Sequence, residues 1–191
     1  MEIRIVKPND IEEEYLSQIV NLIIRGGQIK GDCHSIRILI AQAELVGFIL
    51  LEEIVICTAT LKNPYREYKE KVFNLADLNS SKNYNKELGY LVTHPDFENQ
   101  GHCQKLLLTI FYQIRSFPIY ATTRKASIVH ILSKFGFRQK GSLYNNDLML
   151  LIYDPPVDTF QNEMYSTKVL IVNPNFQLSL SQTISNEIRL I

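Results

Sequence analysis

At 191 residues the chain fits one domain more comfortably than two, and it can bury roughly 70% of the surface that its unfolded form exposes. Apolar residues make up 46% and charged residues 21%, which excludes a disordered or fibrous chain. The 20 Lys and Arg balance the 20 Asp and Glu, and without a basic run this argues against a nucleic-acid partner, whose phosphates draw affinity from excess cationic charge.

Met1 to Lys7 has no basic flank leading into an apolar segment, and no later stretch reaches about 18 uninterrupted apolar residues. The expected protein is neither secreted nor membrane-spanning. Cys33, Cys57 and Cys103 are odd in number and lack a CxxC, so neither a disulfide framework nor a zinc site is expected and a reducing cytoplasm is the natural setting.

Ile3 and Ile5 alternate as a first strand ended by Pro8-Asn9-Asp10. A helix follows, with Ile11, Tyr15, Ile19, Leu22 and Ile23 at helical spacing and Gly26-Gly27 at its close. Ile36 to Thr60, rich in Ile, Val and Leu, reads as two antiparallel strands divided near Ala43 to Gly47. After Pro64, the residues Tyr65, Tyr68, Val72, Leu75 and Ala76 predict a short amphipathic helix, and the polar run Asn79 to Lys86 predicts a loop. Leu88 to Val92 is a compact strand ended by Pro95. The second half alternates a helix from Gly101 to about Arg115, a strand Ile119 to Thr122, a helix Ala126 to Lys134, a turn at Gly136, and strands near Phe137 to Gly141 and Asp147 to Tyr153. The class is α/β. Residues 154–191 change character, and their alternating Phe176, Leu178 and Leu180 predict an appended β extension whose apolar edge invites a homodimer.

The segment with most chemical content is Glu87 to Leu108: a strand, a tight polar turn with a single glycine, Gly101, and a helix. Amides in the first turn of a helix have no intrahelical acceptor, and together with the positive end of the helix dipole they make an anion site. Val92 and Pro95, then Glu98-Asn99-Gln100-Gly101-His102-Cys103, then Lys134-Phe135-Gly136-Phe137 resemble the two sequence motifs of the GNAT superfamily of N-acetyltransferases. The resemblance spans roughly residues 1–153. It implies a mixed central sheet flanked by helices, with 62–86 as an insertion and 154–191 as an extension. Glu98 stands where that family has Gln or Arg, and Cys103 where it has Gly or Ala.

The resemblance further implies acetyl-CoA as acyl donor and a primary amine of a small molecule or protein as acceptor, joined by direct attack. It places the pyrophosphate on the backbone of Asn99, Gln100, Gly101, His102, Cys103 and Gln104. The pantetheine arm and thioester would lie along Leu91, Val92 and Thr93. A family general base 14 residues before the motif glycine falls on Glu87. The usual Tyr acid falls on Leu132 and a common Asn on Lys125, which leaves Tyr144 or Tyr120 as substitute acids. Tyr65, Arg66, Tyr68 and Lys69 of the insertion stand where they could meet an acceptor. The four histidines show no metal-ligand spacing, and no metal is expected. The alternative is a degenerate member of this fold that serves as a non-catalytic interaction module.

Overall fold

The computed structural model describes residues 1–27 and 31–156. In chain order these form β1 (Glu2–Val6), a 3-10 turn (Pro8–Asp10), α1 (Glu13–Arg25), α2 (Cys33–Ala41), β2 (Leu45–Leu51), β3 (Ile54–Lys62), α3 (Arg66–Leu75) and β4 (Lys86–Thr93). A second 3-10 turn (Pro95–Phe97) leads to α4 (His102–Ile114), β5 (Ile119–Thr123), α5 (Ala126–Ser133), β6 (Arg138–Tyr144) and β7 (Leu148–Tyr153). The β extension and the homodimer expected from the C-terminal strands fall on 157–191, outside the described residues. No helix among the described residues is long and apolar enough to cross a membrane.

The seven strands form one mixed sheet in the order β1-β2-β3-β4-β5-β7-β6. All neighbouring pairs are antiparallel except β4 and β5. Strand alternation sends side chains to opposite faces. On one face Val46, Phe48, Leu50, Val55 and Tyr90 pack with Ile19, Val20 and Ile23 of α1 and with Ile36 and Ile40 of α2. Tyr120, Leu150 and Ile152 meet Val72 and Phe73 of α3 in a neighbouring cluster. On the other face Cys57, Ala59, Leu61, Leu88, Ile119 and Ala121 pack with Leu106, Leu107 and Ile110 of α4 and Leu132 of α5. Each fully buried Ile or Leu in these layers contributes about 2 kcal/mol.

The largest departure from the sequence reading is α2. The run from Ile36 was expected to open a strand, but residues 33–41 are helical. Asp32 is extended and its carboxylate accepts the amide of Ser35 at 2.8 Å, a helix start signal just before the apolar run. Ile36 and Ile40, one turn apart, are the buried pair. The hairpin between the next two strands therefore turns at Glu52-Glu53, both in the left-handed region, and not near Gly47. The remaining elements fall within a few residues of their expected places.

Helix α3 is fixed to the outer strand β6 by a close backbone contact. The amide of Ser142 donates to the Ala76 carbonyl at 2.9 Å, next to a bulge in β6. Gly141 there has φ +71°, and a Cβ built on it would lie 1.9 Å from the Ala76 carbonyl oxygen. Gly141→Ala should therefore lower stability by about 2 kcal/mol through a clash with backbone that cannot rotate away. For a chain of this size that is a fall of roughly 4–8 °C in Tm, and an unchanged thermal midpoint would refute this anchoring.

Candidate functional site

Strand β4 pairs with β5 at only two positions, Lys86 with Ile119 and Glu87 with Tyr120. Beyond Glu87 the strands diverge. The divergence follows a bulge in β4, where the register against β3 slips between Thr58 and Thr60 and Tyr90 takes φ +53°. A bulge sharpens local twist and bends its strand, and here it carries β4 away from β5. It also puts consecutive residues on one face, so that Tyr90 joins Glu87 on the side of α1 and α2 while Leu91 packs on the α4 side.

The gap holds a cavity of about 480 Å³ lined from both faces of the sheet. Leu88 to Val92 and Ala121 to Thr123 form its walls. Ile128 and Leu132 of α5 close one side, and Leu39, Gln42, Tyr65 and Tyr68 border the other. Leu132, which takes the place of the expected Tyr acid, is fully buried and apolar.

Glu87 lies in this cavity and is 2% exposed. The Lys62 ammonium sits 2.8 Å from its Oε2, and the Thr122 hydroxyl donates to its Oε1 at 3.3 Å. Lys62, Glu87 and Tyr120 are cross-strand neighbours on β3, β4 and β5. Lys62 reaches the carboxylate by lying across Gly89, where a Cβ would stand 2.6 Å from its Cε. Its ammonium also caps the Tyr90 ring at 4.7 Å from the centroid.

Phenols ring the carboxylate. Tyr68, 43% exposed as a residue, turns its hydroxyl inward toward Thr122 and Glu87, and desolvation first, then the Glu87 charge, pushes its pKa up. Burial, with the same charge second, pushes Tyr90 and Tyr144 up to about 12. Tyr120 rises for the same two reasons, and its hydroxyl beside Glu87 lies outside hydrogen-bond geometry. All four therefore stay protonated through neutral pH. Tyr144, expected as an acid, is buried in the cluster beneath α3, its hydroxyl lacks a partner among the described residues, and it does not line the cavity.

At the far end of β4 the chain enters the anion turn. Asn99 has φ +61° and Gly101 has φ +79°, so left-handed residues alternate with ordinary ones and curl the backbone into a nest. No heavy atom lies within 4 Å of a Cβ built on Gly101, so the glycine answers to the turn's conformation and not to crowding. Glu98 accepts no role in this nest and is exposed. Backbone bonds end with Glu98 N–H to the Pro95 carbonyl and resume with Lys105 N–H to the Gly101 carbonyl. The amides from Asn99 to Gln104 thus have no acceptor among the described residues. These amides fit a pyrophosphate.

Of the residues expected to line the donor path, Leu91 and Val92 border the cavity, while the Thr93 hydroxyl lies 3.4 Å from the buried Cys57 Sγ. Cys103 packs against the same core and adds no exposed thiol to the cradle. Cys33 and His34 open α2 and stand away from the cavity. Sequence reasoning missed Lys62, whose partner lies on the neighbouring strand and far along the chain, and Tyr90, whose bulge has no local signature beyond Gly89.

No protein-family model matches the sequence, and no curated protein does. Solved structures do. An acyl-CoA N-acyltransferase from Pseudomonas aeruginosa is similar at a TM-score of 0.62 and 11% identity, over 80% of this chain and 99% of that one. The ribosomal-protein-S18-alanine N-acetyltransferase from Escherichia coli superposes at 0.57 and 11% identity, over 85% of this chain and 100% of the other. A GNAT-family acetyltransferase from Streptococcus agalactiae gives 0.57 and 16% identity, over 78% and 93%. The chain has the GNAT fold.

Removing one partner of a buried ion pair leaves an uncompensated charge and costs roughly 3–5 kcal/mol, whereas replacing both partners by apolar groups is near neutral. Lys62→Met should therefore destabilise by about 3 kcal/mol in urea denaturation, and adding Glu87→Leu should restore most of that loss. Additive losses in the double variant would show that the pair carries no such coupling.

Proposed function

We propose that this chain, on its GNAT fold, is an acyl-CoA-dependent N-acyltransferase that moves an acetyl group to a primary amine by direct attack. The observation that carries the reading is the succession along one strand: a buried carboxylate at Glu87, a free edge through Leu88 to Val92, and the amide nest at 99–104. From Glu87 to Thr93 an extended strand covers roughly 20 Å, along which an extended arm with two amides finds unpaired backbone donors and acceptors.

The nest amides would hold the donor's pyrophosphate, and Leu91 and Val92 would line its pantetheine arm. The bound thioester supplies an activated acyl carbon. Ile128 and Leu132 keep that side of the gap apolar, which limits water. An unpaired β4 amide at the bulge is placed to donate to the developing oxyanion.

Glu87 accepts a proton from the acceptor ammonium, directly or through a water, and so frees the nitrogen lone pair for attack. Its burial and the Thr122 hydrogen bond fix the carboxylate's direction. Tyr68 and Tyr90 both border the cavity near Glu87, and Tyr68, whose hydroxyl turns toward Thr122 and Glu87, is the phenol assigned to proton donation in place of Tyr144. The acceptor approaches from the side of Leu39, Gln42, Tyr65 and Tyr68, where the Tyr65 hydroxyl donates to Gln42 Oε1 at 2.6 Å and joins α2 to the segment before α3. Leu39, Gln42, Tyr65 and Tyr68 are themselves uncharged, while Arg124 and Lys125 bring cationic charge to another part of the lining.

Calorimetric titration with acetyl-CoA should show binding at micromolar strength. Glu87→Gln should keep that binding and slow acetylation of an amine acceptor by about 10²-fold or more. Unchanged turnover in Glu87→Gln would remove Glu87 as base, and no binding up to millimolar acetyl-CoA would overturn the acyltransferase reading in favour of a non-catalytic module.

A further inference from the structure

An acceptor amine needs a place beside Glu87, and that place is taken. The Lys62 ammonium stands 2.8 Å from Oε2, over the Tyr90 ring, and along Gly89 on the wall that the donor path would share. A carboxylate and an aromatic face are together what an amine-binding site offers an ammonium. Only a residue without Cβ at 89 lets the Lys62 stem lie flat enough to arrive there. The side chain is 19% exposed, so Lys62 is no ordinary surface lysine.

We propose that Lys62 is the enzyme's own acceptor and is acetylated on Nζ, within the chain, by the acyl donor bound in the same cavity. The inference rests on the acyltransferase reading. In this reaction the ammonium gives one proton to Glu87, and the free amine forms a bond from Nζ to the acyl carbon. The carbon–sulfur bond then breaks, the departing thiolate takes the second proton from the nitrogen, and Glu87 returns its proton to water. The products are Nε-acetyl-lysine at position 62, free CoA thiol and one released proton, with no oxidation or reduction. The new amide carries no charge, so the pairing with Glu87 ends. A foreign amine can then approach a carboxylate that the ammonium no longer holds.

The test is to incubate the full chain with acetyl-CoA and follow each lysine by peptide mass spectrometry after cleavage at acidic residues, with Lys71 and Lys134, both exposed, as references. Lys62 should gain one acetyl group at least about tenfold faster than either reference, at a rate independent of protein concentration, because the reacting groups are held together. In urea-unfolded chain that advantage should vanish. Glu87→Gln should slow the labelling of Lys62 about 10²-fold and leave Lys71 unaffected. Lys62 labelled no faster than Lys71 in protein that binds acetyl-CoA calorimetrically would overturn the self-acetylation while leaving the acyltransferase reading intact. Absence of calorimetric binding would overturn both. Labelling that persists at the same rate in Glu87→Gln would also overturn the proposal, since the ion pair would then have no part in it.

Discussion

Strand β4 cannot follow β5 past Glu87. The bulge at Tyr90 bends it away after two paired residues, and the remaining backbone loses its neighbour on that side. A strand edge inside a sheet is normally unaffordable, because unpaired backbone groups shielded from water cost as much as lost hydrogen bonds. Here the edge opens onto a cavity, so its groups stay accessible to solvent or to a ligand with matching amides. The gap, the passage through the sheet and the meeting of both faces all follow from this one bend.

The same bend decides what sits at the apex. Glu87 is the last β4 residue paired on both sides, held between Lys62 and Tyr120. Its desolvation is offset by the Lys62 ammonium and the Thr122 hydroxyl, and a well-packed apolar pair would serve stability at least as well. The polar pair at the closed end of a cavity is therefore better explained by chemistry than by folding. The phenols of Tyr68, Tyr90, Tyr120 and Tyr144 surround it with groups that remain neutral, which keeps a single negative charge at the apex.

Much of this was legible in the sequence where neighbours in the chain are neighbours in space. The turn before α4, with Gly101 and its amides, depends on local conformation and was readable from residues 92–103. Strand and helix order in the second half followed from short apolar runs between clear breakers. The α2 helix was misread because Ile36 to Ile40 is apolar enough for either element, and the deciding signal was a single capping residue, Asp32. Glu87 comes from a resemblance at fixed spacing, and the structure places it in the cavity between β4 and β5. Its partner Lys62 is not legible in that way, since cross-strand pairing depends on register, and register depends on a bulge that a sequence pattern does not mark. Tyr144, the acid expected by proximity in the fold, ends β6 and is not among the residues lining the cavity that Tyr68 borders.

The central claim is that the open edge of β4 and the nest before α4 together receive one extended ligand, a CoA thioester. Amide hydrogen exchange with and without acetyl-CoA measures this at the groups concerned. The account predicts slowed exchange in two separated stretches, within 88–92 and within 99–104, with β1 and β2 unchanged. Protection confined to one stretch, or none at millimolar ligand, would contradict it.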